Sequence, residues 1–133
     1  MVGGIIVNFI IKKEDLGAFA VCVSQMMNEF GFCGFTYEDD FKNAVNSGTT
    51  EFFVSEDDEI SVAFGNLKKQ ITNIESAKNI YFFISTKTDA AKAGVYEKYF
   101  REIAETSNAE NVFLNIYDQE KDDKTKLYLF INK

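Results

Sequence analysis

Seven consecutive residues, Asn79-Ile80-Tyr81-Phe82-Phe83-Ile84-Ser85, constrain this chain more than any other stretch. Their middle is an unbroken run of β-branched and aromatic side chains, which favour extended backbone. A strand without polar alternation has no face to give to water, so both of its faces need cover. Helical patterns lie on either side of the run. It is therefore expected at the centre of a sheet, with helices packed against it.

The rest of the chain reads around that strand. Gly4–Lys12 alternates as a first strand, and Glu14 and Asp15 place acid where a helix start favours it. Leu16, Phe19, Ala20, Val23, Met26, Met27 and Phe30 recur at helical spacing and predict a core-facing helix that Gly31 would end. Thr36 opens a weak capping box for a short second helix carrying Tyr37, Phe41, Ala44 and Val45. Thr50–Val54 and Glu59–Phe64 read as a hairpin, because Ile60, Val62 and Phe64 alternate with Ser61 and Ala63. Leu67, Ile71 and Ile74 suggest a brief helix, and Thr88 can cap a longer one through about Thr106. Asn111–Tyr117 and Thr125–Asn132 close the chain as a second hairpin around the charged loop Asp118–Lys124.

The order β-α-α-β-β-α-β-α-β-β predicts an α+β fold. Its sheet would be mixed or mainly antiparallel, of about six strands, with helices packed against it. A length of 133 residues suits one compact domain, residues 1–133, and suffices for a substantial core. The N-terminus lacks the pattern of a signal peptide, and no stretch approaches a membrane span. Cys22 and Cys33 have no metal-ligand spacing and fit a reducing compartment, so the cytoplasm is the expected location.

Chemical motifs are sparse. With no histidine, the chain lacks Ser-His-Asp and Cys-His hydrolase sites and the HExxH zinc pattern. Neither a GxxxxGK[ST] phosphate loop nor a GxGxxG turn after a strand is present. Asp118, Glu120 and Asp122 imitate the opening of a calcium loop, but Asp123 stands where the turn needs Gly and Leu129 where a bidentate Glu belongs. Neither an enzyme nor any cofactor or metal is expected on this reading.

Charge is the remaining signal. The net charge is −7, and residues 1–66 carry 3 basic and 11 acidic side chains against 11 and 10 in residues 67–133. The whole excess of acid thus lies in the first half, in Glu38-Asp39-Asp40 and in Glu56-Asp57-Asp58-Glu59. Such clusters either solubilise a surface or steer a cationic partner. Together with the missing catalysis they predict a non-enzymatic binding protein. It would block or regulate a basic protein partner, in the manner of an immunity protein or phage inhibitor, with those seven residues as its docking surface. Acidity argues against direct binding to nucleic acid. Three alternatives stay open: a small-ligand-binding or sequestering domain with a pocket lined by Phe and Tyr, a catalytic protein that uses Lys, Tyr or carboxylates, and a homo-oligomer that uses the aromatic excess at an interface.

Overall fold

The computed structural model describes residues 8–28, 37–42, 44–46, 48–87, 93–118 and 124–133. Among these residues lie five strands and three α-helices: β1 (Asn8–Ile10), α1 (Leu16–Asn28), β2 (Thr49–Asp57), α2 (Ile60–Gln70), β3 (Asn79–Thr86), α3 (Ala93–Thr106), β4 (Asn111–Asp118) and β5 (Thr125–Asn132). The strands form one mixed sheet in the order β1-β2-β5-β3-β4. β1 and β2 run parallel, as do β3 and β4, while β5 pairs antiparallel with both β2 and β3.

Side-chain alternation sends the strand residues to two separate cores. Phe53 of β2, Ile80, Phe82 and Ile84 of β3, and Leu127, Leu129 and Ile131 of β5 pack with α2 and α3. Phe52, Tyr81, Phe83, Tyr128 and Phe130 face the other way, under Cys22 and Met26 of α1 and under Phe41 and Val45. Phe82 and Phe83 are each wholly buried, one on each face. That is the double cover the apolar run required. By position, however, the middle strand is β5, with β3 beside it.

Two expected hairpins are absent, and the loss of the first reduces the predicted six strands to five. Residues 60–64 belong to α2, because Ile60, Ala63, Phe64 and Leu67 also fit the helical period and face the first core. The alternation that suggested a strand counted Val62, which is exposed. α2 is tied to β2 at both ends: the Ser55 hydroxyl donates to the Ala63 carbonyl (2.6 Å) and the Gln70 amide to the Val54 carbonyl (2.9 Å). The helix expected around Leu67–Ile74 is thereby absorbed, since α2 ends at Gln70 and only the 3₁₀ turn Ile74–Ser76 follows.

The second hairpin fails for a different reason. β5 is buried along nearly its whole length and so needs a neighbour on each side, which an outer hairpin arm lacks. It inserts between β2 and β3, and β4 takes the edge. The predicted second helix is a π-helical turn, Tyr37–Lys42, followed by a 3₁₀ turn, Ala44–Asn46. Gly48 then turns the chain into β2 at φ 76°, where a Cβ would collide with the Lys133 carbonyl. The Gly31 helix stop, the Thr36 and Thr88 caps, Cys33 and most of the 118–124 loop lie outside the described residues.

Candidate functional site

On the sheet face beneath α1, strand register builds residues into rows. Asn111, Asn79, Asn132 and Thr50 are register partners across β4, β3, β5 and β2. Their side chains form a directed relay. The Asn111 amide donates to the Asn79 carbonyl oxygen (3.0 Å), the Asn79 amide to that of Asn132 (2.9 Å), and the Asn132 amide to the Thr50 hydroxyl (3.1 Å). The next row is entirely aromatic: Phe113, Tyr81, Phe130 and Phe52. Phe41 stands edge-on over its centre, with ring centroids 5.0 Å from Tyr81 and 4.9 Å from Phe130. Polar pairing fixes the register here, and ring packing fills the space above it.

Burial also controls the titration of this face. The Cys22 thiol is pushed well above its ordinary 9.0 by burial alone. The Tyr128 phenol is raised from 10.0, chiefly by burial, with Cys22 and Glu56 adding to it. A thiol held neutral in this way is a packing group and not a nucleophile.

The predicted acidic docking residues sit in two segments of the chain. Glu38, Asp39 and Asp40 lie in the turn Tyr37–Lys42, over the α1 side of the sheet. Glu56 and Asp57 end β2, and Asp58 and Glu59 lead into α2. Glu56 lies four steps of extended strand from Phe52, about 13 Å. Glu56 pairs with Lys124 (3.6 Å), and the Asp57 carboxylate accepts from the Glu59 backbone N–H (3.0 Å). The second cluster therefore has local structural work at the start of α2.

The aromatic residues of this face pack on one another. One hollow of about 300 Å³ lies between α2 and α3, lined by Lys68, Ile71, Ile74, Glu102, Ile103 and Thr106. Lys68 and Glu102 of its lining form an ion pair (2.9 Å). Among the described residues no group of three or more His, Cys, Asp or Glu side chains could hold a metal ion.

The least accounted-for surface is the outer side of α1. The core-facing stripe expected there is right in part: Phe19, Val23 and Met26 pack on the sheet, whereas Leu16 (52% exposed) and Met27 (60%) point away from it. Val21 is 49% exposed beside them. All thirteen residues of α1 are uncharged, the longest such run in the sequence. That run was visible in the sequence as a charge gap, and it was masked by the apolar stripe that overlaps it.

No protein-family model and no curated protein matches the chain. Solved structures do. Over 90% of its length the chain superposes on the W319Y mutant of FtsZ from M. jannaschii, with a TM-score of 0.73 and 14% identity. The fold is FtsZ-like. CetZ from Methanosaeta thermophila strain DSM 6194 shares it over 85% of the chain (TM-score 0.63, 17% identity). TubZ of Bacillus thuringiensis serovar israelensis, in GDP-form protofilaments, shares it over 80% (TM-score 0.54, 11% identity). The chain spans about a third of these structures, covering 38%, 34% and 32% of them respectively.

This FtsZ-like likeness overturns the inhibitor or immunity-protein expectation. Acid content had stood in for function because no catalytic motif competed with it. An FtsZ-like sheet explains the aromatic excess as interior packing. For membranes, the finding is limited to the helices: none among the described residues is long and apolar enough to cross a bilayer.

Proposed function

We propose that the chain is a self-assembly module, a subunit-contact part built on the FtsZ-like fold. The observation that carries this reading is the superposition on FtsZ over 90% of the chain at a TM-score of 0.73. Related matches support it through what those proteins do: one is an FtsZ dimer, and another is TubZ in a two-stranded filament. The chain spans about a third of such proteins, and nucleotide chemistry is not assigned to it. Glu38, Asp39, Asp40, Glu56, Asp57, Asp58 and Glu59 acquire a different part in this reading. They make acid-bearing faces repel, so that copies carrying −7 each meet only where acid is absent.

Sedimentation velocity of the purified chain over a wide concentration range, with negative-stain microscopy at the upper end, tests the proposal. A mass that rises with concentration to dimers or longer assemblies is expected. A monomer throughout refutes it.

A further inference from the structure

We propose that the hollow between α2 and α3 binds a small uncharged molecule, one with an apolar body and a single N–H or O–H donor. The inference goes beyond the assembly reading and does not depend on it.

Shape and lining supply the first observation. The hollow holds about 300 Å³, within the range in which proteins take small molecules. Ile71, Ile74 and Ile103 give it an apolar lining, and Lys68, Glu102 and Thr106 add a few polar groups. That mixture is the usual make-up of a ligand pocket. Ile103 is 2% exposed and belongs to the core, whereas Ile71 and Ile74 are only partly buried. An apolar body seated in the hollow would take those two side chains further from water.

Backbone geometry supplies the second. Between Ile71 and Ile74 the chain turns at Asn73, which sits in the left-handed region at φ 56°, a conformation Asn adopts more readily than most residues. Its carbonyl accepts from the Ser76 hydroxyl (2.8 Å) and from the Ser76 backbone N–H (3.1 Å). The Ile71 backbone N–H is bonded in turn to the Lys68 carbonyl (3.3 Å). This wall of the hollow is therefore fixed by the chain itself, and a ligand has little ordering to impose on it.

Glu102 defines the polar end of the ligand. Its Oε2 is shielded from solvent, and among the described residues no hydrogen-bond donor is aligned with it. The Lys68 ammonium stands 2.9 Å away as a charge contact, and a carboxylate oxygen has room for a second donor. Thr106 does not fill that place, because its hydroxyl donates to the Glu102 backbone carbonyl. A shielded acceptor short of a donor is completed by a ligand that brings one. Charge then narrows the choice. Lys68 and Glu102 balance each other, so an added cation meets the ammonium and an added anion meets the carboxylate. A neutral donor meets neither repulsion.

The test uses the full chain, with indole as the probe and N-methylindole as a control that keeps the apolar body and lacks the N–H. Titration of isotope-labelled protein, followed through its amide resonances, should show indole shifting Lys68, Ile71, Ile74, Ile103 and Thr106, with a dissociation constant on the order of 1 mM. N-methylindole should bind roughly tenfold more weakly or worse, because it leaves the Glu102 oxygen without its donor. Glu102→Ala should erase that preference. Ile74→Trp fills the hollow and should abolish the binding of both probes, with Ile71→Trp as the second filling variant and urea melts to show that each folds. No indole shift at several times that concentration overturns the proposal. Equal binding of the two probes to wild type overturns the donor assignment, and indole shifts that survive both filled variants overturn the site. Sedimentation without ligand decides the assembly reading separately, so neither failure is mistaken for the other.

Discussion

Replacing Asn132 by Leu should destabilise the fold far beyond what its modest change in volume implies. Asn132 is 1% exposed and sits inside the relay, accepting from Asn79 and donating to Thr50. Leucine removes two hydrogen bonds, each contributing about 1 kcal/mol net. It also leaves the Thr50 hydroxyl, 0% exposed, without that donor, at a cost of about 1–3 kcal/mol. The Asn79 amide is only partly buried and can turn to water, so little is added there. The added apolar contact of leucine offsets part of the loss. The sum is about 2–4 kcal/mol. Asn111→Ala, at the exposed end of the same relay, should cost about 1 kcal/mol or less. Urea unfolding, with an unchanged denaturant slope, measures both. Adding Thr50→Val to Asn132→Leu removes the orphaned hydroxyl and should recover about 1 kcal/mol, a coupling that a double-mutant cycle isolates. An Asn132→Leu cost below about 1 kcal/mol, or no coupling to Thr50, would refute the claim that this row holds the register.

Other outcomes follow from burial. Phe82→Ala and Phe83→Ala should each cost about 3–5 kcal/mol in the same urea assay, since each ring fills a different core. A lysine tolerated at either position would show that one face of β3 is open. Alkaline stability is set by Cys22 and Tyr128, whose native pKa values are raised above 9.0 and 10.0. Their contribution is full below those values and is lost as pH climbs toward the raised native ones, because only the unfolded chain then releases the protons. Stability should therefore fall above about pH 9, and Cys22→Ala with Tyr128→Phe should flatten that fall. Native Cys22 should also resist a thiol-specific reagent until the protein unfolds, which timed absorbance readings at neutral pH would follow.

The parts of the fold legible in the sequence were those where one physical pattern acts alone. Residues 80–84 had no polar alternation, and the strand is covered on both sides. The same logic applied to Leu127-Tyr128-Leu129-Phe130-Ile131, an equally continuous apolar run. A short charged loop before it drew attention to a hairpin instead. Residues 60–64 satisfied period 2 and period 3.6 at once, and only the continuation to Leu67 separates them. Sheet order was not legible at all, since pairing partners depend on crossovers that no local pattern encodes. On α1, apolar spacing pointed to the core correctly for Phe19, Val23 and Met26. Position on the helix circumference, not hydrophobicity, decided that Leu16 and Met27 face out. The acid clusters were plain in the sequence, but charge density carries no information about whether two segments share a surface.

The placement of β5 has a consequence for the order of events in folding. It is the last of the described strands to be synthesised, yet it alone hydrogen-bonds the β1–β2 pair to the β3–β4 pair. Until it arrives, β2 and β3 each present an open inner edge rich in aromatic residues, and such edges invite pairing with other chains. The contacts that end this exposure join Thr50 to Asn132 and Asp57 to Thr125, across most of the sequence. Closing loops of that length makes late assembly slow relative to helix formation. A nascent chain of this kind spends its vulnerable interval as two half-sheets awaiting a shared strand, and a chaperone that shields strand edges would act in that interval.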